Sequence, residues 1–134
     1  MQTMRFLNII TAFFSLSSLL LFSTSCHKNS ADIPTLTITA PLADDNFANN
    51  QVITIKGEAA DAERLHELTI KITDDKTGVI LFSSTPYVHD LKSFAFNVTW
   101  TAKVADWTDA TVTVIAKNHV DLQAVKTVKI KIWL

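Results

Sequence analysis

The amino-acid sequence predicts an all-β fold, a two-sheet antiparallel sandwich of seven strands filling residues 34–134. Three observations predict it. From Pro34 onward, apolar and polar residues alternate with period two almost throughout, the spacing that turns one strand face inward and the other to water. The alternating segments are rich in Thr and Val, whose branched Cβ atoms pack well on a pleated surface. Between the segments lie clusters of Asp, Asn, Pro and Gly, the residues of tight turns.

Each strand follows from its alternation. Leu36, Ile38 and Ala40 alternate with Thr35, Thr37 and Thr39, until Pro41 and Asp44-Asp45-Asn46 break the run. Ile53, Ile55, Gly57 and Ala59 form the inward set of the second strand, and Leu68, Ile70 and Ile72 that of the third. Asp74-Asp75-Lys76-Thr77-Gly78 is a turn into the apolar run Val79-Ile80-Leu81-Phe82. Phe94, Phe96, Val98 and Trp100 face inward next, then Val112, Val114 and Ala116, then Val128, Ile130 and Ile132. The stretch Ala59 to Glu67 contains good helix formers and Asp61 as a cap. It is short and lies between two strands, so it reads as a connecting turn with at most one turn of helix. With only two glycines in the chain, Asn and Asp must serve most turns, and Asn49-Asn50 and Asn118-His119 are the expected left-handed positions.

Residues 1–25 have a different character. Arg5 supplies a positive charge, Phe6 to Phe22 a polar-speckled apolar run, and Ser23-Thr24-Ser25 small residues before Cys26. That order is a secretory signal. The small residues directly before a cysteine resemble the lipobox of bacterial lipoproteins, with Ser23 where that family usually carries an aliphatic. The resemblance implies cleavage before Cys26 and acylation of its sulfur and new amino terminus. A polar, aperiodic tether, residues 26–33, would then join lipid to domain. The alternatives are an ordinary signal peptide with a free thiol and a retained membrane helix, the run being at the short end of the roughly 17–25 residues needed to span. Lipidation accounts for the lone cysteine, which has no partner for an internal disulfide.

Four stretches of the folded part resemble the immunoglobulin-like modules of bacterial surface proteins and lipoproteins: Pro34 to Pro41, Ile53 to Asp61, Leu65 to Gly78, and Thr111 to Ala116. Where that family often continues Ala-x-Asp-x-x-Gly-Asn, this chain has Ala116-Lys117-Asn118-His119-Val120-Asp121. The resemblance implies the sandwich fold and leaves the task open, because such modules serve many.

Composition narrows the function. Removing residues 1–25 from the 134-residue chain leaves 109 residues, one domain's worth. Those 25 residues hold only Arg5 of the 12 Lys and Arg and none of the 13 Asp and Glu, so 11 cations face 13 anions. No concentrated basic face exists for nucleic acid. Lys126, Lys129 and Lys131 on the last strand read as a solvated face that discourages edge-to-edge pairing.

Catalysis is not signalled. No serine sits in Gly-x-Ser-x-Gly, and although His66, His89 and His119 lie near Glu67, Asp90 and Asp121, any surface histidine has fair odds of such a neighbour. Zinc is not signalled either, since the folded part has no His-x-x-x-His and no cysteine pair. An oxygen-rich calcium site would be led by Asp61 and Asn118 with Asp121. Trp107 and Tyr87 lie in polar loops, and Asp106 and Asp109 flank the indole. A ring beside carboxylates suits a sugar, whose apolar face stacks while its hydroxyls donate. Trp100 is on the inward register and Trp133 off it.

The expected function is therefore a lipid-anchored protein of the bacterial cell envelope with a non-enzymatic binding or assembly module, needing no cofactor beyond lipid on Cys26. Its partners would be the membrane and an envelope protein or glycan. The alternatives are a carbohydrate-binding accessory and a calcium-dependent adhesive module. His27 after the cysteine, rather than Asp, fits the outer membrane by resemblance to the lipoprotein sorting rule.

Overall fold

The computed structural model describes residues 32–134. The signal peptide, Cys26 and the tether up to residue 31 lie outside the described residues. The chain forms eight strands: β1 Thr35–Ala40, β2 Asp45–Ala48, β3 Val52–Ala60, β4 Leu65–Asp74, β5 Ile80–Ser84, β6 Ser93–Thr101, β7 Thr108–Asn118 and β8 Gln123–Trp133. They pair into a three-stranded sheet, β1-β3-β6, and a five-stranded sheet, β2-β8-β7-β4-β5.

The strand absent from the sequence reading is β2. It is four residues long, with the polar pair Asp45 and Asn46 at its head, too short to display a period. Its pairing with β8 is parallel, the one departure from an otherwise antiparallel arrangement. Phe47 packs its ring against the core from this strand. Because β2 covers Ile130 to Trp133, β8 is an edge only over its first half. Lys126 lies on that open half, whereas Lys131 sits under β2, so the lysine face guards less edge than its sequence suggests.

The period-two pattern fills the space between the sheets. Ile53, Ile55 and Ala59 of β3 and Phe96 of β6 meet Leu68, Ile70 and Ile72 of β4, Val112, Val114 and Ala116 of β7, and Ile130 and Ile132 of β8 in one buried cluster. Removing that much apolar surface from water is the main stabilising term, at about 25 cal/mol per Å². Trp100 is half-buried, stacked on Phe82 with ring centroids 6.2 Å apart.

The Ala59–Glu67 stretch contains no helix. β3 runs to Ala60 and β4 begins at Leu65, with a turn between them held by the Asp61 Oδ1 acceptor on the Glu63 N–H at 2.6 Å. Left-handed backbone occurs at Asp44, Asn50, Arg64, Asp90, Asp121 and Gly78. Asn50 takes the role expected of it. Asn118 does not: it ends β7 and the left-handed residue is Asp121.

The strands define two ends. Asp32, the 61–64 turn, the 85–92 loop and the 119–122 turn gather at one, as Asn118 Nδ2 donates to the Asp32 carbonyl (3.2 Å) and Leu65 N to the Leu91 carbonyl (2.7 Å). The 49–51 turn, the 74–79 turn and the 102–107 loop gather at the other, as Asn50 N donates to the Ala102 carbonyl (2.8 Å) and Asp75 N to the Asp109 carbonyl (2.9 Å). The ten residues of β4 span the distance between them, about 30 Å at roughly 3.3 Å per residue.

Candidate functional sites at the two ends of the sandwich

At the far end from Asp32, Trp107 projects into solvent with 66% of its surface exposed. It lines an open groove of about 600 Å³ with Asp106, Asp109, Asp74, Lys76 and Lys103. The 102–107 loop carrying it is pinned at Ala102, which is fully buried, and at Val104, whose N–H donates to Asn49 Oδ1 at 3.0 Å. The Thr108 hydroxyl donates to the Asp106 carbonyl (2.9 Å) and sets the entry into β7. The indole is thus exposed from an ordered loop.

The groove's acids divide by occupation. Asp74 accepts from the Lys76 and Thr77 N–H groups (2.7 and 3.1 Å); hydrogen bonding to Thr77 is the main reason its carboxyl is held below its ordinary range. Asp75, beside them, is tied up: Lys129 Nζ at 2.6 Å and the Thr111 hydroxyl donate to it. Burial opposes its ionisation, but those two bonds outweigh burial and lower its pKa. Among the described residues, the Asp106 and Asp109 carboxylates have no hydrogen-bond or ion-pair partner in the chain and face the groove as free acceptors.

Tyr87 is 83% exposed but lies at the opposite end, its ring 6.4 Å from that of His89. The structure therefore brings Trp107, Asp106 and Asp109 together and separates Tyr87 from them. A single sugar cannot stack on both rings across about 30 Å.

The oxygen-rich set proposed for calcium is also divided. Asn118 is fully buried and makes four hydrogen bonds. Its Oδ1 accepts from the Val120 and Leu122 N–H groups (3.1 and 2.9 Å), and its Nδ2 donates to Asp61 Oδ2 (3.1 Å) and the Asp32 carbonyl. The amide that faces Asp61 is a donor, so the pair closes on itself as a structural tie. Asp121 points elsewhere, to Lys117 Nζ at 2.6 Å. That bond raises the lysine pKa and lowers the aspartate's.

A cluster the sequence reading did not assemble sits at the Asp32 end. The rings of His66, His89 and His119 lie edge to face, with centroids 5.2, 4.9 and 4.7 Å apart, and one nitrogen from each falls within 4.8 Å of the others. Three local features place them. In β4, Leu65 pairs with Asn118 and Glu67 with Lys117, so His66 is the extra residue of a β-bulge, the device that re-aims a side chain. His119 follows Asn118 directly, in the turn that Asn118 Oδ1 organises. His89 lies between buried Val88 and Asp90, whose N–H donates to the Leu65 carbonyl at 2.9 Å. The Asp90 carboxylate bridges two rings, 3.1 Å from His89 Nδ1 and 3.1 Å from His119 Nε2. Residues 66, 89 and 119 are too far apart in sequence to form a motif. In the sequence only His66 adjoins an expected strand, while His89 and His119 fall in the connections between strands.

Two solved structures are similar to this chain over part of its length. The fibronectin(III)-like modules of Clostridium thermocellum CbhA align over 76% of this chain at 19% identity, with a TM-score of 0.48. This chain spans about half, 46%, of that one. A Niemann-Pick type C2 protein from Japanese carpenter ant aligns over 76% of this chain and 94% of its own, at 11% identity and a TM-score of 0.51. At that identity the likeness speaks for the sandwich fold alone. Comparison with curated proteins gives no match. The family model of the bacterial Ig domain matches residues 34–116, from the residue before β1 to near the end of β7. The chain belongs to the bacterial Ig domain family.

Proposed function

We propose that this chain is a lipid-anchored envelope protein whose Ig domain is a non-enzymatic binding module, with the groove around Trp107 as its contact surface. The observation that carries the reading is the placement of the two ends. Residue 32, through which the domain would be joined to acylated Cys26, lies about 30 Å along β4 from the exposed indole. An anchor at one end holds the other away from the bilayer, which suits a module that meets a partner across the envelope. Residues 1–25 direct export, Cys26 carries the lipid, and residues 27–31 give reach before the chain docks on Asn118. His27 fits the outer membrane as destination.

A glycan is the partner the groove chemistry favours. An exposed indole offers a flat apolar face, and the free Asp106 and Asp109 carboxylates accept hydroxyl hydrogen bonds. A protein partner would use the same end.

Mass spectrometry of the protein purified from membranes tests the anchor. The expected amino-terminal peptide begins at acylated Cys26, and a Cys26→Ala version partitions out of the membrane. An amino terminus at another residue with an unmodified thiol would overturn the anchored reading. Sedimentation with envelope polysaccharide then tests the glycan: wild type co-sediments and Trp107→Ala stays in solution.

A further inference from the structure

We propose that His66, His89 and His119 form a binding site for one zinc-class divalent transition-metal ion. This inference goes beyond the envelope-module reading and uses the opposite end of the domain.

The chemistry of the donor set points to it. Three imidazoles converge with one nitrogen each inside 4.8 Å, and imidazole is the commonest nitrogen ligand for zinc, copper, nickel and cobalt. Tetrahedral zinc at about 2.0–2.1 Å from each ligand sets nitrogens about 3.3 Å apart. The cluster reaches that spacing if the rings close by about 1.5 Å, which side-chain rotation supplies because all three are exposed.

Asp90 is the second, independent feature. Its oxygens lie 3.1 Å from His89 Nδ1 and from His119 Nε2; in the tautomers in which those nitrogens donate to it, His89 Nε2 and His119 Nδ1 carry the lone pairs that ligate. A carboxylate that fixes tautomer and ring orientation in this way is the usual outer shell of a histidine metal site. The backbone beneath is tied as well: Leu65 N to the Leu91 carbonyl, Asp90 N to the Leu65 carbonyl, and the Asn118 side chain to the 119–122 turn. Three protein ligands leave a fourth position open to water or to a donor from another molecule.

The test uses the full chain purified in detergent. Titration with Zn²⁺ by calorimetry is expected to show one saturable equivalent. Co²⁺ as a probe is expected to give the intense visible bands of a four-coordinate ion, displaced by Zn²⁺. His66→Ala, His89→Ala and His119→Ala should each weaken binding by more than about tenfold, and Asp90→Asn by about 10–100-fold. Metal-free thermal melts of the variants should match wild type, since the rings are exposed. X-ray absorption on the zinc-loaded wild-type chain needs no variant, and should show three imidazole ligands. No saturable uptake by wild type, a zinc shell without imidazole, or unchanged affinity in the triple histidine variant would each overturn the site.

Discussion

Asn118→Ala is the perturbation that most sharply separates a structural tie from a half-formed ion site. It deletes four hydrogen bonds at a position with no solvent exposure. Three of the partners recover part of the loss. The Val120 and Leu122 N–H groups lie in a surface turn and the Asp32 carbonyl in an exposed segment ahead of β1, so water replaces the amide at modest cost. The fourth partner cannot recover so easily. Asp61 is 8% exposed, and with Oδ1 already on the Glu63 N–H, its Oδ2 loses its only donor among the described residues. An unsatisfied buried group costs about 1–3 kcal/mol, more when charged, and each net bond lost adds about 1 kcal/mol where water does not substitute. The sum is about 3 kcal/mol. For a domain of this size that is a fall in melting temperature on the order of 15 °C. The assay is thermal unfolding followed by circular dichroism, with Asp121→Asn as comparison. The Asp121 carboxylate makes an exposed pair with Lys117, and Asn tolerates the left-handed backbone there, so the substitution should leave the midpoint in place. An Asn118→Ala midpoint within about 2 °C of wild type would refute the reasoning, because it would mean water enters and satisfies Asp61.

Two further outcomes follow from the same packing. Asp75→Asn should cost about 1 kcal/mol at neutral pH, where the carboxylate holds Lys129 and Thr111. The folded pKa of Asp75 is lowered from 3.8, so its contribution is full above that value and is lost as pH falls through the depressed one. Denaturant melts should therefore show the gap between wild type and variant closing in strong acid; a gap unchanged down to about pH 2 would contradict the assignment. Gly57→Ala should destabilise by at least about 2 kcal/mol, since a Cβ there would fall on the Thr37 carbonyl oxygen and the Phe96 ring edge. An alanine variant as stable as wild type would mean β1 and β6 yield without strain.

Much of the fold was legible because a buried sheet face imposes a period of two that few other arrangements share. Ile53, Ile55, Leu68, Ile70, Ile72, Val112, Val114, Ile130 and Ile132 are all on the inward register expected of them and all buried. Where the period had no room to show, legibility ended. β2 is four residues whose pairing is decided by β8, far along the chain. The Leu65–Glu67 bulge breaks the register by one residue, and that slip carries His66 to its neighbours.

The site was legible only as residue types. Trp107 and Tyr87 are both exposed, as polar loops suggest, but the distance between them belongs to the topology. Asn118 has the composition of a turn residue, and only the surrounding burial makes it a hub. The three histidines come from β4, the 85–92 loop and the turn after β7, and nothing local marks them as neighbours.

The central claim is that an anchored domain presents the Trp107 end to an envelope partner. Its most direct test is a photo-reactive amino acid placed at position 107 of the full chain, irradiated in living cells, with the same residue at Thr37 on the three-stranded sheet for comparison. The account predicts a discrete adduct from position 107, none from position 37, and loss of the adduct when Cys26→Ala releases the chain from the membrane. An equal adduct from both positions, or one that survives the loss of Cys26, would contradict it.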